Sequence, residues 1–138
     1  MNKLKYKTMA KKTFSITAVI FTMFMLLSFN TNAQKDYNTC LKRTNTSWGE
    51  ATGKCTYSKD IFKAEYQNVC NDTIDIAIAL QRTDKKWDCF YYNAIKPNEK
   101  VNVYVCKGTG KSLKWVKKAG DKETSFPTKE EINQTYKK

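Results

Sequence analysis

The chain has 138 residues, with 25 lysines and arginines against 13 acidic residues, five cysteines and no histidine. Without histidine, Ser-His-Asp and Cys-His catalysis, histidine-ligated metal centres and the usual general base near neutral pH are excluded. The length suits one domain. Nearly all the positive charge is lysine, with Arg43 and Arg82 the only arginines; this fits a solvated surface or loose attraction to polyanions, and argues against sequence-specific nucleic-acid reading, which favours arginine's planar fork.

Residues 1–33 have the layout of a signal peptide. Lys3, Lys5, Lys7, Lys11 and Lys12 precede an apolar run from Phe14 to Phe29, and Thr31-Asn32-Ala33 offers a small-x-small cleavage site. The run covers 16 residues, whereas a helix crossing a bilayer needs roughly 20 apolar positions. Cleavage is therefore expected to leave Gln34 as the first residue and no stable membrane span, in a secreted or periplasmic protein. It removes five of the 25 basic residues and none of the 13 acidic ones, which lowers the net charge from +12 to +7.

From Gln34 to about Asp60 the sequence is polar and weakly periodic, and it reads as loop with one short strand at most. Phe62, Ala64 and Tyr66 then fall on one side of an extended segment. Ile74, Ile76, Ile78 and Leu80 do the same, with Asp75 and Gln81 opposite. Cys70-Asn71-Asp72 supplies turn chemistry between the two runs. A hairpin there sets Tyr66 opposite Ile76, Ala64 opposite Ile78 and Phe62 opposite Leu80.

Thr83-Asp84-Lys85 and Lys96-Pro97-Asn98-Glu99 bracket a strand from Trp87 to Tyr92, and Val101 to Cys106 forms the next. A turn at the second break sets Tyr91 opposite Tyr104 and Cys89 opposite Cys106. Gly108-Thr109-Gly110 would turn the chain again, so that Leu113 and Trp115 face Val105 and Val103. The expected fold is all-β: a small antiparallel meander of about five strands, sandwich- or barrel-like and disulfide-stabilised, over residues 34–120. Residues 121–138 read as a polar, mobile tail, although Thr128 and Glu131 have capping-box spacing.

That register divides the side chains between two faces. Phe90, Tyr92, Val101, Val103, Val105, Leu113 and Trp115 form a core face, and Trp87, Cys89, Tyr91, Tyr104 and Cys106 form the other. A one-residue slip exchanges them.

Cys40, Cys55, Cys70, Cys89 and Cys106 are separated by 14, 14, 18 and 16 residues, with no Cys-x-x-Cys pair to grip a metal or run dithiol exchange. No metal or other cofactor is expected. In an oxidising compartment the five give two disulfides and one spare thiol. Cys106 is expected to pair with Cys89 or Cys70 and Cys40 with Cys55, leaving the unused member of Cys70 and Cys89 free.

The stretch from Cys70 to Trp115, with Trp87-Asp88-Cys89, Pro97, Cys106, Gly108-Thr109-Gly110 and Trp115, resembles small exported cysteine-containing β-domains of Gram-negative bacteria, most of which lack an assigned function. The resemblance covers about a third of the chain. It implies fold and compartment, and it brings no catalytic residue.

Trp87, Tyr91 and Tyr104, with Lys114 beside them, form the candidate binding face, because flat aromatic rings stack on sugars or partner residues and a lysine adds attraction to anionic groups. Packing in the core is the competing explanation. The acidic residues Asp72, Asp75, Asp84 and Asp88 sit in or beside turns, where aspartate has structural work. The leading expectation is an exported, non-enzymatic binding or structural module for a glycan, an envelope component or a partner protein. A secreted inhibitor or effector comes second, and a slow carboxylate- or lysine-dependent hydrolase third.

Overall fold

The computed structural model describes residues 35–49, 54–56 and 59–137; the signal-peptide reading of residues 1–33 lies outside them. A 3-10 turn, Tyr37–Cys40, leads into β1 (Leu41–Trp48), β2 (Phe62–Asn68), β3 (Ile74–Arg82), β4 (Trp87–Ile95), β5 (Lys100–Val105) and β6 (Gly108–Lys118), and a short helix α1 (Lys129–Thr135) follows. The strands form two antiparallel three-stranded sheets, ordered β1-β2-β5 and β4-β3-β6. The fold is all-β and disulfide-linked, as expected.

β3 is central to its sheet and buried on both sides. Ile74, Ile76, Ile78 and Leu80 face the other sheet and join Leu41, Phe62, Ala64, Tyr66, Val101, Val103 and Val105 in the core. Ala77 and Ala79 are buried on the opposite face. This explains the near-continuous apolar run IDIAIAL, since a strand covered on both faces has little use for polar alternation. Each fully buried isoleucine or leucine contributes roughly 1.5 to 3 kcal/mol.

Pairing between strands differs from a simple meander. β2 and β3 lie in different sheets, so Tyr66 pairs with Arg43 and Val101 and not with Ile76. β4 and β5 are likewise separated, so Cys89 pairs with Ala79 and Tyr91 with Ala77. Leu113 and Trp115 oppose Ala79 and Ala77 on β3 and do not face β5. The segments read as hairpin turns are crossings between sheets, and Asn68 holds two of them together. Its Nδ2 donates to the carbonyls of Asp72 (2.8 Å) and Ile95 (3.1 Å), and its Oδ1 accepts from the Cys70 amide (3.0 Å).

The path from β5 to β6 is a tight corner with Lys107 in the left-handed region, φ 53°. Gly108 follows, buried against Phe62, where an added Cβ would collide with the Phe62 Cβ. Gly110, at φ 83°, then forms a bulge between the pairs Leu80–Ser112 and Arg82–Gly108. A glycine accepts that backbone conformation without penalty. Downstream, Ser112, Lys114 and Val116 point to the inter-sheet side and Leu113 and Trp115 to the outer side.

The disulfides are Cys40–Cys70, with Cα atoms 5.0 Å apart, and Cys55–Cys106, at 5.6 Å. Cys89 is free. Cys106 is therefore bridged, but to Cys55, and Cys40 pairs with Cys70. Separating β4 from β5 takes Cys89 away from Cys106 and carries the β1–β2 connection to the corner after β5. The first bridge spans 30 residues and the second 51; in the chain-entropy account, loops of these lengths stabilise by about 3.5 to 4 kcal/mol each.

The C-terminal segment is docked, so the compact unit runs Asp36–Lys138 and does not end at Gly120. Thr128 and Glu131 cap α1 reciprocally: the Thr128 Oγ1 accepts from the Glu131 amide (3.2 Å) and the Glu131 Oε2 from the Thr128 amide (2.8 Å). Ile132 is fully buried with Ala79 and Trp87, and Cys89, Leu113 and Trp115 pack around them. Asn133 caps the free edge of β4. Its Oδ1 accepts from the Trp87 amide (2.8 Å) and its Nδ2 donates to the Trp87 carbonyl (3.0 Å).

Candidate functional site

The four residues chosen from the sequence do not form one face. Trp87 is buried under α1, with its Nε1 donating to the Tyr136 carbonyl at 3.0 Å and its ring edge-on to Tyr136 at 6.3 Å. Tyr91 lies on the same side, half exposed, and its hydroxyl donates to the Pro127 carbonyl (2.9 Å). Tyr104 is on the outer face of the other sheet, opposite Lys63, in a shallow polar groove of about 480 Å³. A single aromatic face would need β4 and β5 side by side, and the sandwich places those strands in different layers. Trp87 serves packing, and Cys89 beside it has its thiol pushed up by burial.

Lys114 occupies a different place. β1 and β6 are edge strands, each from its own sheet, and polar side chains cross between them in both directions. From β1, the Arg43 Nη1 donates to the Ser112 Oγ at 3.3 Å. From β6, the Lys114 Nζ donates to the Leu41 carbonyl. Asn38, in the turn before β1, accepts from the Val116 amide through Oδ1 (3.2 Å).

A bulge in β1 makes this arrangement possible. The β1–β2 register shifts between Arg43 and Asn45, so Leu41 and Arg43 point inward before the bulge and Thr46 and Trp48 after it. Arg43 is thereby brought beside its partner Tyr66, and Trp48 packs against Phe62 with ring centroids 5.0 Å apart. Trp48 also sits over Gly110, 3.2 Å from where a Cβ would be.

The result is an open cleft of about 500 Å³ whose lining includes Arg43, Tyr66, Gly110, Lys111, Ser112 and Lys114. Three of these are cationic and two carry hydroxyls; among the described residues that line it, none is a carboxylate. Tyr66 is only 2% exposed, and its hydroxyl has no hydrogen-bond partner. A buried hydroxyl without a partner carries a desolvation penalty of about 1 to 3 kcal/mol. Desolvation holds the Lys114 ammonium below the usual lysine range, an effect partly opposed by Asp36.

Of the residues chosen from the sequence, Lys114 and Trp87 line this cleft, Trp87 with its ring buried under α1, and Tyr91 and Tyr104 do not. In the sequence Arg43 stands out only as one of two arginines. Tyr66 alternates with Phe62 and Ala64 as a core residue should, and nothing in its pattern reveals that it lines a cleft or that its hydroxyl is left without a partner. Among the described residues, no group of three or more Cys, Asp or Glu side chains is placed to hold a metal ion. No family model matches the chain, and neither curated proteins nor solved structures give a match.

Proposed function

We propose that the chain is an exported, non-enzymatic binding module whose partner engages the cleft between β1 and β6. The observation that carries this reading is the composition of that cleft: Arg43, Lys111 and Lys114 with the hydroxyls of Tyr66 and Ser112, all able to donate and none carrying negative charge. The lining has no paired acid and base with which to turn a substrate over. Two disulfides in one small domain support a compartment outside the cytoplasm. No helix among the described residues is long and apolar enough to cross a membrane.

Fractionation of cells making the full chain, with mass spectrometry of its N-terminus, tests the compartment. A form starting at Gln34 outside the cytoplasm is expected, and a full-length cytoplasmic protein with reduced cysteines would overturn it. Immobilised protein and an Arg43→Gln/Lys114→Gln variant, exposed to the same envelope extract, test the binding. A component held by the first and lost by the second is expected; equal retention, or none, would contradict the reading.

A further inference from the structure

We infer that the β1–β6 cleft binds a small oxyanion, a phosphate or sulfate group, with the Lys114 ammonium, the Arg43 guanidinium and the Tyr66 hydroxyl as its donors. This rests on the cleft being the binding site, and it adds the chemistry of the ligand.

Three observations converge. The charge of the lining is one-sided: none of its described residues is a carboxylate, and Asp36, the acidic group that acts on Lys114, lies outside it. Arg43 offers a planar fork with five N–H donors, of which the contact with Ser112 uses one. Tyr66 lines the cleft, and its hydroxyl is buried without a hydrogen-bond partner. A hydroxyl kept in that condition is a binding group awaiting its partner or a net loss to the fold. Tetrahedral oxyanions suit such a site because their several oxygens accept from donors on different strands at once.

Lys114 supplies the entry. Its ammonium is tied to a neutral backbone carbonyl, that of Leu41, and partial desolvation weakens its hold on the proton. An oxyanion is a stronger acceptor than that carbonyl, because its full negative charge attracts the ammonium directly where the carbonyl offers only a dipole. Binding thus moves the Nζ from Leu41 to the ligand, opens the floor of the cleft and gives the Tyr66 hydroxyl its acceptor.

Titration of the purified, oxidised protein with inorganic phosphate, inorganic sulfate and glucose 6-phosphate, followed by amide chemical shifts at neutral pH, tests the inference. Saturable shifts at Arg43, Tyr66 and residues 110–114 are expected. Tighter binding of the sugar phosphate identifies an esterified group as the ligand, and tighter binding of an inorganic ion identifies the free anion. Tyr66→Phe removes only the hydroxyl; it is expected to weaken binding about tenfold, the worth of one hydrogen bond to a charged group, and to leave the melting temperature unchanged or raised. Lys114→Gln should abolish saturable binding, whereas Lys96→Gln, which removes the same charge on the β4–β5 connection, should not. If Tyr66→Phe raises stability and leaves all three affinities unchanged, or if none of the anions saturates, the inference is wrong. The titration uses purified oxidised protein, so its outcome is independent of where the cell keeps the protein.

Discussion

The two outer faces of the sandwich are built from the same alternation and end in opposite conditions. On β4-β3-β6 the outward positions include Ala79, Trp87, Leu113 and Trp115, which pack with Ile132 of α1. On β1-β2-β5 they include Lys63, Glu65, Asn102 and Tyr104, which remain in contact with water. There Glu65 is held by the Thr44 hydroxyl (2.7 Å) and the Lys100 ammonium (3.0 Å) in place of a covering helix. What decides between a second apolar layer and a solvated face is the outward half of each strand's pattern, and in β3 the middle of that half is Ala77 and Ala79, between Asp75 and Gln81, small enough for a helix to lie close.

The covered face should therefore respond strongly to substitutions that leave the solvated face undisturbed. Ile132→Ala is expected to destabilise the protein by about 2 to 4 kcal/mol in chemical denaturation, through the lost transfer energy and the cavity left between Ala79 and Trp87. The tryptophan emission should shift to the red in the native state. A loss below about 0.5 kcal/mol would mean that the helix does not seal this face.

Asn133→Ala should cost about 1 to 3 kcal/mol, because it leaves the Trp87 amide and carbonyl without their partners. Hydrogen exchange should accelerate at the Trp87 amide more than at Ile78. Asn133 also begins an Asn-x-Thr sequon, and its amide is committed to this edge. On the solvated face, Tyr104→Ala should cost about 1 kcal/mol or less. A larger effect there would remove the distinction between the two faces.

The smallest expected effect is in acid. The Thr44 hydroxyl, and then Lys100, hold the Glu65 carboxyl below its ordinary 4.5. A folded-state value below the unfolded one means that the stability Glu65 adds is fully present above 4.5 and is lost as the pH falls through the lowered value. Glu65→Gln should flatten that part of the stability-versus-pH curve and leave the profile above pH 6 unchanged.

Strand positions were legible where alternation is regular and one face is sealed. Phe62, Ala64 and Tyr66 on β2, the isoleucines of β3, and Phe90 and Tyr92 on β4 lie on the side that period two assigns them. β1 was not legible, because the bulge after Arg43 reverses its alternation and its place at the edge leaves Lys42 to Thr46 exposed. Leu113 and Trp115 lie on the face opposite to the expected one for a related reason: a corner at Lys107 and a bulge at Gly110 stand in place of a hairpin turn. Turn residues announce a change of direction and do not say whether the next strand joins the same sheet.

The cleft was harder still to foresee. It depends on β1 lying alongside β6, strands whose nearest ends are 60 residues apart in the chain, and no local pattern couples them. The covering helix had a visible start in the Thr128–Glu131 box. Its seven residues place one apolar side chain, Ile132, on the sheet, too few to show a stripe.

The arrangement of the two sheets is tested most directly by mapping the disulfides of the folded protein, with alkylation before digestion and without reduction. The sandwich predicts peptides joined through Cys40–Cys70 and Cys55–Cys106, with Cys89 the alkylated residue once the protein is unfolded. A Cys89–Cys106 bridge would place β4 beside β5 in a single sheet, merging the covered face with the solvated one, and would contradict the account.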